Sequence, residues 1–321
     1  MGYFVGTDEA GYGPNLGPLI ISATVWWVPD GVSLESLYDR VSHVIAHSKS
    51  REAESPRVVM ADSKVLYKSG KQLWLLERGL LAAMDLLGRR PGTWRELFHS
   101  LDPNTASEHN EIPWYASYEA PVPTVADPGE SNTLGKTLRD GLEQVGVQLV
   151  DIRSRTVFAR EFNELLTRFD SKGAMLSFLT LELIAQILKE TEFGPVQVVC
   201  DKHGGRNRYG RLLREHFPEY VVEVYGESRE RSVYRFGPAE RRVQVRFQMM
   251  AEALLPAALA SMASKYLREQ AMRAFNSFWA AHLPGIRATA GYPKDAKRFR
   301  IDIADKQKEL GISDAILWRS R

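Results

Sequence analysis

The stretch YFVGTDEAGYGPNLGPLIISATV, residues 3–25, places two adjacent carboxylates, Asp8 and Glu9, between two apolar segments. Residues 3–7 and 19–28 are rich in β-branched and aromatic residues, which is typical of strands, and the glycines and prolines between them are typical of a turn. We therefore predict two strands paired like a hairpin, with both acids at the end of the first strand.

The glycines beside the acids allow two interpretations. Gly11 and Gly13 are spaced as in the turn of a dinucleotide-binding strand, but Pro14 removes an amide that would donate to phosphate, and the acids would repel a pyrophosphate. Carboxylates are the ligands that hard divalent cations prefer, and glycine lets another backbone approach closely. We predict that a cation joins Asp8 and Glu9 to a phosphodiester; the alternative is that they cap the turn and face water.

Strand and helix patterns follow each other along most of the chain. Residues 148–157 have the composition of a strand, and residues 174–188 place leucines on one helical face. A short apolar run then ends at Asp201, which is typical of a strand buried on both faces. Further strand patterns and a long helix at residues 251–279 follow. This order predicts an α/β fold in which helices flank a mixed β-sheet.

The domain organisation predicted from these patterns is a single domain over residues 1–321. Residues 90–135 differ from the rest because they contain many prolines, serines and asparagines and little periodicity. We expect this segment to be an insertion or excursion on the surface. We also expect a helical C-terminal part at about residues 251–321.

The amino-acid composition excludes some classes of protein to which this chain could belong. Hydrophobic residues make up 44% of the chain, and no apolar run approaches the ~20 residues that span a bilayer, so we expect no membrane partner and a cytoplasmic location. The single cysteine, Cys200, excludes an internal disulfide. Residues 201–246 carry 11 basic and 7 acidic side chains, and residues 287–321 carry 9 and 5, which weakly favours a polyanionic partner. The alternative for either segment is an ordinary solvated charged surface.

Several segments resemble one enzyme family in the order in which that family has them. GTDEAGYGPNLGPL is similar to the N-terminal signature of the type 2 ribonucleases H, ribonuclease HII and HIII. The further similar segments are ADSKVL, FNELL, VQVVCDKHGG, EALLPAALASMASKYLRE, AGYPKDAKRF and LGISDAILWRSR. Together they cover most of the chain outside residues 90–135.

The resemblance implies a ribonuclease H-like fold and a divalent-metal-dependent endonuclease. Such an enzyme hydrolyses the RNA strand of RNA–DNA hybrids or cuts at ribonucleotides embedded in duplex DNA, with Mg²⁺ or Mn²⁺ in a two-metal mechanism. Its partner would be one of these nucleic acids, whereas the sequence leaves any protein partner unknown. The alternatives are a non-catalytic nucleic-acid-binding protein on the same fold, and a metal nuclease that acts on structured DNA.

Four acids carry the implied chemistry. The resemblance implies that the catalytic and metal-binding residues are Asp8, Glu9, Asp201 and Glu252. The family's fourth aspartate aligns with Ala251, so the neighbouring Glu252 is the expected fourth acid. Glu227, in the sequence YGES, is the alternative because the family has a similar Gly-Asp-Ser.

The residues implied to bind substrate are Gly11, Tyr12, Gly13, Lys64, Ser261, Lys265 and Tyr292. Tyr12 replaces an arginine of ribonuclease HII, which removes one phosphate contact, so we do not predict strict cutting at RNA–DNA junctions. Tyr292 would stack on a sugar, with a core tyrosine as the alternative. Asp62 is also expected to cap the next helix. For His203 we expect a solvated loop histidine rather than a proton shuttle.

Overall fold

The computed structural model describes residues 1–47, 57–67, 73–191 and 194–320. Within these ranges a seven-stranded mixed sheet has the strand order β5-β2-β1-β6-β9-β8-β7, and β3 and β4 form a separate pair. The strands are β1 (Gly2–Ala10), β2 (Leu19–Val28), β3 (Ile45–Ala46), β4 (Val58–Val59), β5 (Gln148–Val157), β6 (Val196–Asp201), β7 (Glu223–Glu227), β8 (Arg231–Phe236) and β9 (Val243–Gln248).

The α-helices flank this sheet, which confirms the predicted fold class. They are α1 (Leu37–Arg40), α2 (Ser63–Leu66), α3 (Leu73–Leu86), α4 (Trp94–Leu101), α5 (Ala106–Glu111), α6 (Pro113–Ala116), α7 (Pro128–Gln144), α8 (Ala159–Phe169), α9 (Lys172–Glu190), α10 (Gly210–His216), α11 (Leu255–His282), α12 (Pro293–Glu309) and α13 (Asp314–Leu317). The chain from residue 251 onward is helical, as expected. Its division into domains stays a prediction.

The centre of the sheet follows the predicted pattern. Strands β1 and β2 pair antiparallel from Gly2 opposite Val28 to Ala10 opposite Ile20. Strand β6 lies between β1 and β9 and is parallel to both. A strand with parallel neighbours on both sides is covered on both faces, which is why the run that ends at Asp201 is almost continuously apolar.

Two hydrophobic cores lie on opposite faces of the sheet. Helix α11 packs across β1 and β2, and with α3 and α7 it encloses one core that includes Phe4 and Trp26. Helices α9 and α10 enclose the other core, to which β1 contributes Val5 and β9 contributes Phe247. Because side chains alternate along a strand, residues of one strand with the same parity share a face. Asp8 therefore lies on the α11 side.

Helix α11 begins later than expected and approaches β1 very closely. Residues 251–253 form a 3₁₀ turn, and α11 starts at Leu255 with Pro256 in its first turn, where a missing amide proton is tolerated. A methyl group on Gly6 would overlap the backbone of Pro256 and Ala257. The absence of a side chain at Gly6 thus lets the start of α11 lie against β1, two residues before Asp8.

Residues 90–135 do not form the surface excursion that we expected, because several of their side chains are part of the core. The segment contains α4, α5, α6 and the start of α7, and Trp94, Phe98, Trp114 and Tyr115 are buried in the α11-side core. Prolines and polar residues interrupt the periodicity, whereas these large rings provide enough apolar area to attach short helices to the core. The segment therefore packs against the domain instead of lying outside it.

No single helix among the described residues is both long and apolar enough to cross a membrane. Helices α8 and α9 meet those criteria only when they are taken together, and they are bent by 108° relative to each other.

Candidate active site

Strands β1 and β6 bring two of the predicted acids together. Their parallel register runs to Thr7 opposite Cys200, so the next pair along is Asp8 and Asp201. Both carboxylates lie at the same end of the sheet and, by parity, on its α11 side.

Asp8 is a buried carboxyl with a strongly perturbed proton affinity. It is only 9% exposed, and burial raises its pKa to about 7. A hydrogen bond from Ser261 lowers the pKa, whereas the charges of Glu252 and Asp201 raise it. A buried charge that is surrounded by like charges is costly unless a cation or a proton compensates it.

Glu9 and Asp201 respond to the same environment. Burial, Asp8 and Asp201 raise the pKa of Glu9 well above its usual value. Burial and Glu252 raise the pKa of Asp201, although backbone N–H groups of Lys202 and Ala251 oppose this shift. These carboxylates therefore act on one another as a single cluster of negative charge.

Glu252 is the fourth member of this cluster. It lies in the 3₁₀ turn after Met250, whose φ of 56° is in the left-handed region and reverses the chain after β9. The Oε1 atom of Glu252 is 3.4 Å from Nζ of Lys64. Its Oε2 atom is buried and has no hydrogen-bond partner among the residues that the structure describes.

Glu227, the alternative fourth acid, is engaged elsewhere. Its Oε1 accepts a hydrogen bond of 2.5 Å from the hydroxyl of Tyr234, and its Oε2 is 3.7 Å from Nε of Arg208. Glu227 is opposite Ser232, a residue of the α9 side of the sheet, and it is not among the main causes that shift the pKa of Asp8, Glu9 or Asp201. The structure thus brings Glu252, and not Glu227, to the other acids.

Helix α2 places a cation next to the cluster. The side chain of Asp62 accepts a hydrogen bond of 2.9 Å from the backbone N–H of Lys64, which is the N-cap expected from the sequence. Burial lowers the pKa of Lys64, but Glu252, Asp62 and Asp8 outweigh this effect and raise it. Lys64 is therefore held in its charged form beside the acids, and its side chain is 75% exposed.

Buried arginines donate hydrogen bonds to the glycine-rich loop after β1. Gly11 has a φ of 92°, and a methyl group there would lie 2.5 Å from the carbonyl oxygen of Pro18. Nη2 of Arg319 donates to the carbonyl oxygens of Gly11, at 2.6 Å, and of Pro14. Arg268 donates to Pro18 as well, at 3.2 Å. These hydrogen bonds hold the carbonyl groups of the loop towards the buried arginines. The opposite side of the loop borders the cleft.

The side chains of Tyr12 and Ser261 contact other elements of the site. The half-buried Tyr12 packs over the loop after β6, where a methyl group on Gly204 would lie 2.9 Å from its hydroxyl oxygen. Ser261 is buried beneath the acids, and its Oγ lies 2.9 Å from Oγ of Ser63. Both residues support elements of the site, whereas Gly13 is exposed at its rim.

Asp8, Glu9 and Asp201 border an open cleft of about 420 Å³ together with the glycine loop. Its other walls include Lys64, Tyr67, Lys265, Arg268, Glu269 and Tyr292. Lys265 donates a hydrogen bond of 2.6 Å to Glu269 and lies over the ring of Tyr67. Tyr292 is 54% exposed, so the alternative of a core tyrosine is wrong.

His203 is not the solvated loop histidine that we expected. It is buried, its Nδ1 is 3.0 Å from Oγ of Ser177, and burial lowers its pKa to about 3. Its neighbours in the sequence are polar or glycine, so no local pattern predicts this packing. The neutral ring is a structural part of the loop after Asp201.

Four residues of the site had no predicted role: Tyr67, Arg268, Glu269 and Arg319. Spacing offered a signal for one pair only, because Lys265 and Glu269 lie four positions apart on a helix. The buried positions of Arg268 and Arg319 depend on contacts with the glycine loop, which is far away in sequence. Nothing in the local sequence indicates such contacts.

The donor chemistry of the cluster fits a hard divalent cation. It consists of carboxylate oxygens, among which the buried Oε2 of Glu252 lacks any partner in the described structure. In the described ranges, however, no three acid, histidine or cysteine side chains are arranged as a ready metal-ligand group. The fit thus lies in residue type, burial and charge, and Asp8, Glu9, Asp201 and Glu252 are the residues that would hold the ion.

The chain is similar in structure to several type 2 ribonucleases H. Ribonuclease H2 from Pyrococcus horikoshii OT3 is 16% identical with a TM-score of 0.44, and the match covers 98% of this chain and 92% of that one. A chain of the PCNA:ribonuclease HII complex from Archaeoglobus fulgidus is 13% identical with a TM-score of 0.45, covering 99% and 94%. Bst-ribonuclease HIII in complex with Mn²⁺ is 12% identical with a TM-score of 0.42, covering 99% and 66%.

No protein-family model and no curated protein matches the sequence. At the identities and TM-scores of the structural matches, the likeness says nothing about the activity of this chain.

Proposed function

We propose that this protein is a divalent-metal-dependent endoribonuclease that hydrolyses the RNA strand of RNA–DNA hybrids or cuts at ribonucleotides embedded in duplex DNA. The observation that carries the proposal is the cluster of Asp8, Glu9, Asp201 and Glu252, in which burial and mutual repulsion raise the pKa values of the first three acids. A protein keeps such a repulsive arrangement most readily where a bound cation offsets it.

The cation would be Mg²⁺ or Mn²⁺, held in a two-metal arrangement by these four acids. When bound, it would make a water molecule more acidic and stabilise the negative charge on the leaving 3′-oxygen. Water would thereby add to phosphorus while the bond to the 3′-oxygen breaks, and that oxygen would leave as a hydroxyl group.

The other residues of the cleft would bind and orient the nucleic acid. Lys64 and Lys265 carry positive charge into a cleft that a phosphodiester must enter against the repulsion of the acids. The exposed ring of Tyr292 would stack on a sugar next to the cut. The backbone of Gly11 and Gly13 would lie against the ribose, where a contact with the 2′-hydroxyl distinguishes RNA from DNA.

The test is a cleavage assay in the presence of Mg²⁺ or Mn²⁺. The substrates are an RNA–DNA hybrid, a duplex with a single ribonucleotide and an all-DNA duplex, and the proteins are wild type, Asp8→Asn and Asp140→Asn. The exposed Asp140 on α7 is the matched control. Cutting of either ribonucleotide-containing substrate that Asp8→Asn abolishes and Asp140→Asn retains is the expected result.

Two results would contradict this function. Binding of the hybrid without cleavage in either metal would favour a non-catalytic nucleic-acid-binding protein. Equal cutting of the all-DNA duplex would favour a metal nuclease that does not depend on the 2′-hydroxyl.

A further inference from the structure

The α11 side of strands β7, β8 and β9 forms a second surface, which we call the arginine face. It is defined by Tyr225, Arg231, Arg235, Gln244, Arg246 and Gln248, which line a cleft of about 920 Å³. Helix α11 packs on β1 and β2, and the cleft lies beyond it, at the far end of the sheet.

The arginine face is continuous with the carboxylate cluster. Asp201 on β6 is opposite Gln248 on β9, and Gln248 is opposite Arg231 on β8. Neighbouring strands lie about 4.8 Å apart, so the backbone of Arg231 is about 10 Å from that of Asp201 along this row. A chain molecule that leaves the acids along the sheet therefore meets Gln248 and Arg231 next.

The charge on this face is positive and in part unpaired. Arg246 is buried, with 7% of its surface exposed, and its Nη1 donates to Glu35 at 2.7 Å. Its Nε and Nη2 have no partner among the described residues, which is costly for buried donors of a cation. Two acids, Glu227 and Glu230, line the same cleft, but Glu227 accepts a hydrogen bond from Tyr234 and its Oε2 is 3.7 Å from Nε of Arg208. The exposed Arg231 and the half-buried Arg235 are therefore the donors that this face offers to an anion.

An exposed aromatic ring completes the surface. Tyr225 is 57% exposed, and the guanidinium of Arg235 lies over its ring at 4.1 Å from the centroid. Rings of this kind stack on bases that are not paired with another strand, because a paired base is already covered by its neighbours. Met249 and Met250, 48% and 70% exposed, line the same cleft and add apolar surface to it.

We propose that the arginine face binds a single nucleic-acid strand that continues from the carboxylate cluster, with its phosphates at the arginines and a base on Tyr225. The location of the strand rests on the proposed function, since the cluster is the place from which it would continue. A single-stranded extension of a substrate, beyond its duplex part, has the chemistry that this face recognises.

The test measures binding of fluorescent single-stranded oligo-dT and oligo-U by anisotropy, in chelator, so that no metal-dependent cleavage occurs. The face variants are Arg231→Ser with Arg235→Ser, and separately Tyr225→Ala. The matched control is Arg160→Ser with Arg211→Ser, which removes the same charge from side chains that are 59% and 88% exposed on α8 and α10. Circular dichroism and thermal midpoints verify that each variant is folded.

The expected result is specific to the face. The double face variant should lose about tenfold in affinity, and the slope of log K against log salt should fall by about 1.4, or about 0.7 for each lost phosphate contact. Tyr225→Ala should lose about tenfold through lost stacking. The control should bind like wild type apart from a small nonspecific loss.

Three results separate this proposal from others. Equal losses in the face and control variants, or no losses, would overturn it. Tighter, face-dependent binding of a polyglutamate peptide would overturn it in favour of an acidic protein partner. Face-dependent oligonucleotide binding by a protein that cuts no hybrid would support it and would remove only the nuclease function.

Discussion

Nζ of Lys64 lies 3.4 Å from Oε1 of Glu252, while Oε2 of the same carboxylate is buried and has no partner among the described residues. One oxygen of Glu252 is thus compensated by an exposed cation, whereas the other is buried without a partner in the described structure, although the charge of Glu252 also acts on Asp8. This asymmetry is what a divalent cation would remove, since it bonds to carboxylate oxygens directly.

Glu252→Gln should reduce metal-dependent cleavage by about 10³-fold, because the amide keeps the shape but loses the charge that holds a cation. Glu227→Gln, at the alternative acid, should stay within about twofold of wild type, since Glu227 is hydrogen-bonded to Tyr234 and lies outside the acid cluster. Steady-state kinetics on a ribonucleotide-containing duplex measures both. The reverse order of losses would assign the fourth acid to Glu227.

In the metal-free protein, the contribution of Asp8 to stability should be lost as the pH rises. Folding raises the pKa of Asp8 from 3.8 to about 7, so the folded state binds the proton more tightly, and its advantage disappears as pH rises through that interval. Asp8→Asn should therefore be more stable than wild type at about pH 8 in chelator, by up to about 4 kcal/mol. Urea denaturation measures this difference, with Asp140→Asn as the control. Saturating Mg²⁺ should stabilise wild type and not Asp8→Asn.

His109 should make the protein sensitive to acid. It is buried among Trp94, Phe98 and Tyr115, and burial lowers its pKa from 6.5 to about 4. The unfolded chain therefore binds the proton first, and stability is lost as the pH falls from 6.5 towards 4.

Substituting this ring tests the acid sensitivity. As the pH falls from about 7 to about 5, the free energy of unfolding of His109→Phe should decrease by about 2 kcal/mol less than that of wild type. The free energy of unfolding in urea at each pH measures the difference. His99→Gln, at an exposed histidine of α4, should follow wild type. An unchanged pH dependence in His109→Phe would contradict the neutral buried ring.

Gly6→Ala should destabilise the fold by about 3 kcal/mol, since the new methyl group would overlap the backbone at the start of α11. Gly13→Ala should change the thermal midpoint little, because no atom lies within 4 Å of a methyl group there and its backbone needs no positive φ. Thermal denaturation of both variants compares them directly. Similar midpoints would show that α11 can move away from β1 at little cost.

Local sequence was sufficient to predict a residue's environment where burial follows a regular pattern along one strand or helix. The strands that carry Asp8 and Asp201 were predictable, because alternation and continuous apolar runs report directly on burial within a sheet. The N-cap at Asp62 was predictable for a similar reason, since capping involves residues only two positions apart. The packing of residues 90–135 on the core was missed because the short helices of this segment lack a long periodic pattern.

By itself, the sequence determined the mixed sheet with flanking helices and the two strand ends that present acids. Only the tertiary structure decided that Glu252, and not Glu227, joins those acids, that His203 is buried, and that arginines gather on the open side of β7–β9. The physical reason is the distance in sequence between the residues that contact each other. Strand and helix patterns arise from contacts within a few residues, whereas the partners of a charged side chain are set by how distant segments pack.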